Sequence, residues 1–161
     1  MRNRGFTLVE MMVTLAIAAV LLTLGTPAFT RQRASAAMRA ASSQTMSALH
    51  LARRLALARG QSVTVCPSAD GHRCGFGGSR WILFANDAAG SDARVDGMDE
   101  VLRRWELPGG VVTSGTRGYA AFQPRPGAAT TVTFEFRHPG AVDESRSVIV
   151  SQTGRPRLAG D

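Results

Sequence analysis

The residues that most constrain this chain are the first thirty. From Phe6 to Phe29 the only ionisable side chain is Glu10, and the run Met11–Leu24 carries no charge. As a helix, those 24 residues reach roughly 36 Å at 1.5 Å per residue, enough for a hydrocarbon core of about 30 Å. Arg2 and Arg4 precede the run and predict that the short segment before it stays in the cytoplasm, with everything after it outside. Pro27 lies near the outer end and is expected to bend or locally open the helix. A cleaved secretory signal would place small residues after the apolar run, whereas Gly5 stands before it. A plain membrane anchor leaves Glu10 unexplained, because an unpaired acid inside a span costs a few kcal/mol.

Gly5-Phe6-Thr7-Leu8-Val9-Glu10 resembles the class III leader junction of type IV pilins and type II secretion pseudopilins. The resemblance implies that a prepilin peptidase cuts between Gly5 and Phe6 and methylates the new amine of Phe6. It also implies that Glu10 serves assembly with other pilin subunits, as the acid that pairs with a neighbour's Phe6 amine. Residues 1–5 are then the leader, 6–29 a transmembrane and assembly helix, 30–60 the amphipathic second half, and 61–161 a β-rich head with a basic tail. The implied location is a single-pass inner-membrane protein with a periplasmic head, later part of an extracellular pilus.

Past the span, Ala34, Ala37, Met38, Ala41, Ala48, Leu49, Ala52, Leu55 and Ala56 recur at steps of three and four, the signature of one buried helix face. Arg39, Ser42, Ser43, His50, Arg53 and Arg54 are assigned to the opposite side. One long helix over Phe6–Arg59 follows, with Gly60 as its stop. Beyond it, short alternating runs separated by Gly, Pro and Ser predict strands at 62–66, 80–84, 101–106, 111–114, 120–122, 130–137 and 147–151. The expected fold class is α+β, a type IV pilin-like long helix on a small antiparallel head of one or two sheets. Leu49–Arg53, Val63–Cys66, Trp81–Phe84 with Asp87, and Val148–Ser151 resemble, in that order, the FimT/GspH-type minor pilins.

Charge bears on partners. All 19 basic residues are arginine, against 12 acids, for a net +7. No acid lies between Glu10 and Asp70, a stretch holding Arg31, Arg33, Arg39, Arg53, Arg54 and Arg59. Such asymmetry suits a solvated basic surface or a partner bearing negative charge, such as nucleic acid or anionic lipid.

Cys66 and Cys74 enclose seven residues, among them His72. A head outside the cytoplasm favours a disulfide there, and the alternative is a metal site with at most three local ligands and no zinc-type spacing. Asp92, Asp96, Gly97 and Asp99 approximate a calcium loop, but Arg94 and Arg103 occupy ligand positions, so an exposed acidic loop over 86–99 is expected. His50, His72 and His138 are isolated, and no catalytic motif appears. The chain reads as a non-enzyme without cofactor or metal.

The tail Gly154-Arg155-Pro156-Arg157 resembles the Gly-Arg-x-Arg motif of DNA-binding FimT-type pilins active in natural transformation. Gly154 permits a turn with positive φ, and Pro156 stiffens the chain between two guanidinium forks suited to phosphate oxygens. The reading is a minor pilin that contacts double-stranded DNA through Arg155 and Arg157, with Arg137 and Arg146 as weaker candidates. The alternative is a minor pseudopilin of type II secretion that binds protein neighbours and no DNA.

Overall fold

The computed structural model describes residues 7–87 and 90–159, with only the backbone described over 22–27. The expected processing junction, Gly5 and Phe6, lies outside the described residues. Residues 1–33 and 34–161 form two compact units.

In the first unit, α1 begins at Leu8 and continues as one element to Arg59. Thr7 is its cap: the Glu10 amide donates to Thr7 Oγ1 at 3.3 Å, which satisfies one of the orphan donors of the first turn. Glu10 thus sits where the helix dipole favours an acid. Thr14 turns its hydroxyl back onto the Met11 carbonyl at 2.9 Å, hiding a polar group in an apolar run. Leu8, Val9, Met11, Met12, Val13, Leu15, Ile17, Val20, Leu21 and Phe29 are all exposed. A helix apolar on every side calls for an apolar surrounding. Among the described residues, however, no helix is long and apolar enough to cross a membrane. Position 27 lies inside the helix, so the proline removes a donor without ending the element.

In the second unit, the remainder of α1 packs on two four-stranded sheets. Ala34, Met38, Ala41, Ala48, Leu49, Ala52 and Ala56 are fully buried, as the spacing predicts. Ser42 is not on the solvent side: it is 2% exposed, and Thr45 is buried beside it. The buried stripe is wider than the apolar pattern because both residues are small, and Ser42 Oγ satisfies itself on the Arg39 carbonyl at 3.0 Å.

The first sheet has β1 (Val63–Pro67), β2 (Arg80–Ala85), β3 (Glu100–Glu106) and β5 (Ala120–Phe122) in the order β3-β2-β1-β5. The second has β4 (Val112–Gly115), β6 (Val132–Arg137), β7 (Ser145–Val150) and β8 (Pro156–Ala159) in the order β4-β6-β7-β8. All pairings are antiparallel. The expected strands are present within two residues at their ends. The exception is β8, which the sequence presents only as a short, stiffened segment after the Gly154 turn. The core lies where Trp81 of β2 stacks on Trp105 of β3 at 5.9 Å and meets the edge of Phe134 of β6 at 5.0 Å.

Cys66 and Cys74 form a disulfide, and Cys66 packs with buried Ile82 and Phe84. Within the closed loop, Asp70 Oδ1 accepts from the amides of His72 and Arg73, both at 2.8 Å. The Arg73 amide, then that of His72, holds the Asp70 carboxyl at about 2, well below its ordinary 3.8. The acids of the 86–99 loop also serve its backbone. Asp99 accepts from the amides of Asp87 at 2.8 Å and Asp96 at 2.9 Å. Asn86, at the start of that loop, is buried rather than exposed.

Candidate nucleic-acid interface

The β7–β8 hairpin places the tail arginines. Its connection runs from Ser151 to Arg155: the Gly154 amide donates to the Ser151 carbonyl at 2.8 Å and the Ser151 amide to the Arg155 carbonyl at 3.3 Å. This three-residue loop needs a left-handed residue at its third position. Gly154 takes it with φ of 70°, and a Cβ there would touch Ala129 Cβ at 3.4 Å. β8 then pairs with β7, with Pro156 opposite Val150 and Arg157 opposite Ile149. Pro156 lacks a donor, and β8 is an edge strand, where such a residue is tolerated.

Directly opposed residues share a face, and side chains alternate along a strand. Arg157 therefore joins Ile149, Thr133 and Glu135 on the face turned away from buried Phe134 and Val148. Arg155 stands just before β8, two residues earlier in the chain. Both are exposed. Among the described residues neither guanidinium enters a hydrogen bond or an ion pair.

The two weaker candidates are elsewhere. Arg137 ends β6 opposite Ser145, and Arg146 stands opposite Phe136. Thirteen ångströms or so of strand separate Arg137 from the Arg157 row, and about 10 Å separates Arg146 from it, at 3.4 Å per residue. Arg137 is already engaged, its Nη2 donating to Glu135 Oε1 at 2.8 Å. That bond holds the Glu135 carboxyl below its usual range. Arg146 falls on the inward-facing parity and is half-buried. The structure thus brings Arg155 and Arg157 together and leaves Arg137 and Arg146 at the far end of the sheet.

Two other arginines take their place. Arg53 of α1 is half-buried, and its Nη1 donates to the Gly154 carbonyl at 3.0 Å. Arg125, on the loop between β5 and β6, lines a shallow notch with Arg53, Leu57, Thr153 and Gly154. The loop is tied to the hairpin by the Ala129 amide, which donates to the Gln152 carbonyl at 3.1 Å. Residues 53–57, 122–130 and 151–157, which meet here, hold five arginines and no acid. Sequence reasoning missed Arg125 and set Arg53 aside as a helix-surface charge. The one available signal was the absence of acids from all three segments. The histidines are scattered: His50 lies on α1, His72 in the disulfide loop and His138 after β6.

Residues 41–154 match the family described as type II transport protein GspH. The chain belongs to the GspH family. Residues 1–26 also match the prokaryotic N-terminal methylation motif. Two solved structures with a similar fold are the type IV minor pilin FimU of Pseudomonas aeruginosa and the minor pseudopilin EpsH of the type II secretion system of Vibrio cholerae. FimU shares 20% identity at a TM-score of 0.57, over 76% of this chain and 88% of its own. EpsH shares 18% at 0.55, over 75% and 94%. No curated protein matches significantly. The fold is therefore type IV pilin-like, and the chain is a GspH-type minor pilin or pseudopilin. The family match stops at Gly154, so Arg155 and Arg157 lie just outside it.

Proposed function

We propose that this GspH-family chain is a minor type IV pilin whose β7–β8 hairpin binds extracellular double-stranded DNA for uptake in natural transformation. Prepilin peptidase would cut after Gly5 and methylate Phe6. Residues 6–29 would hold the subunit in the inner membrane before assembly, and Glu10 would pair with a neighbouring subunit's Phe6 amine. The observation that carries the DNA reading is the pair Arg155 and Arg157, displayed two residues apart on an exposed edge with no acid engaging either among the described residues. Phosphate contact of this kind confers little sequence preference.

The test is DNA affinity of the full chain in non-ionic detergent. Binding is expected in the micromolar range, weakening as salt rises, because contacted phosphates release counterions. Arg155→Gln with Arg157→Gln should weaken binding and flatten the salt slope by roughly 1.8, at about 0.9 per phosphate contact. Unchanged binding places the contact elsewhere on the head.

The second reading, a minor pseudopilin that binds protein neighbours and no DNA, is favoured by the family description and by the likeness to EpsH. It predicts no DNA binding by the wild-type chain even at low salt.

A further inference from the structure

We propose that Arg53 is a positioning residue that holds the β7–β8 turn so that Arg155 and Arg157 are aimed before DNA arrives. The inference rests on the DNA reading above. The bond from Arg53 Nη1 to the Gly154 carbonyl joins residues 101 apart in sequence. That carbonyl belongs to the peptide unit linking Gly154 to Arg155, and a peptide unit is planar. Holding its oxygen therefore orients the whole unit and the direction in which the Arg155 side chain departs. The other side of the same unit is held more loosely, the Arg155 amide donating to Ser151 Oγ at 3.4 Å.

The grip comes from a rigid base. Ala48, Leu49, Ala52 and Ala56 anchor this stretch of α1 in the core with no more than 1% exposure. Within the turn, Gly154 is buried, whereas Gln152 and Thr153 are exposed and add no packing of their own. A guanidinium bonded to a neutral carbonyl makes a charge-assisted bond, stronger than one between neutral groups. Pre-aligning a binding segment raises affinity by reducing the ordering that binding requires.

The experiment compares the full chain with Arg53→Ala, and with exposed Arg54→Ala as the neighbouring control, in non-ionic detergent. Two readouts are taken: affinity for a random-sequence DNA duplex across salt, and hydrogen exchange of the Ser151 and Gly154 amides without DNA. Arg53→Ala should weaken binding on the order of 3- to 10-fold with an unchanged salt slope, because the DNA-contacting cations remain. The two amides should exchange faster, while Arg54→Ala leaves exchange as in the wild type. In the Arg155→Gln, Arg157→Gln background, Arg53→Ala should have no further effect on affinity. Ser151→Ala, which releases the other side of the peptide unit without touching the core, should act in the same direction.

An additive loss with a slope flatter by about 0.9 would make Arg53 a phosphate contact and overturn the positioning role. Wild-type exchange at Ser151 and Gly154 in Arg53→Ala would overturn it as well. If the wild-type chain binds no DNA, the functional reading fails, and the exchange result alone still decides whether Arg53 holds the turn.

Discussion

Arg137 is bound to Glu135 across 2.8 Å on the same strand, and this removes it from the cations free to meet a phosphate. Any DNA contact by Arg137 would first have to replace that carboxylate. Arg137→Gln should therefore change DNA affinity less than twofold. Arg125→Gln, at the notch beside Gly154, should weaken binding and flatten the salt slope by about 0.9. Anisotropy titrations of the two variants across salt separate them. Equal effects would spread the site over the whole sheet face.

Gly154 should tolerate no side chain. Its φ of 70° places an L-residue in the left-handed region, which costs roughly 1–2 kcal/mol. The Cβ itself would meet Ala129 and Phe122 only in ordinary van der Waals contact, so the cost lies in the backbone. Gly154→Ala is expected to lower the urea midpoint of the head accordingly and to reduce DNA binding with it. A midpoint equal to wild type would show that the hairpin relaxes into another loop.

Asp70 should titrate far below an ordinary aspartate. The amides of Arg73 and His72 favour its charged form, which depresses the folded pKa to about 2. A depressed pKa contributes stability that is fully present above the unfolded value near 3.8 and is lost as pH falls through about 2. Carboxyl chemical shifts followed by NMR should give a midpoint near 2, with the His72 and Arg73 amide resonances moving together. A midpoint near 3.8 would break the assignment of the loop.

Glu10 should matter to assembly and little to its own helix. Thr7 caps the Glu10 amide, a backbone group, so Glu10→Ala leaves the cap in place. Leader cleavage should continue. Incorporation into sheared filaments should fall on the order of tenfold or more, since removing one partner of a buried pair costs roughly 3–5 kcal/mol. Immunoblots of cell and filament fractions measure both. Normal incorporation would leave the lone charge without its assigned role.

The helix, its buried Ala and Met stripe, seven of the eight strands and the Cys66–Cys74 loop were legible in the chain, because each rests on local rules: helical spacing, alternation, turn residues and the proximity of two cysteines. Ser42 shows where such rules stop. A serine reads as solvent-facing, yet it is buried because its hydroxyl bonds the Arg39 carbonyl and its small volume lets the sheet approach. β8 was not legible either, since Pro156-Arg157-Leu158-Ala159 has no strand pattern of its own and becomes one by pairing with β7. The candidate site divides in the same way. The sequence by itself determined that Gly154 would turn the chain and that two arginines would follow it. Only the tertiary structure decided which charges stand beside them. It placed Arg53 and Arg125 at the turn. Those neighbours are set by the packing of α1 and the order of the strands, which no spacing along the chain records.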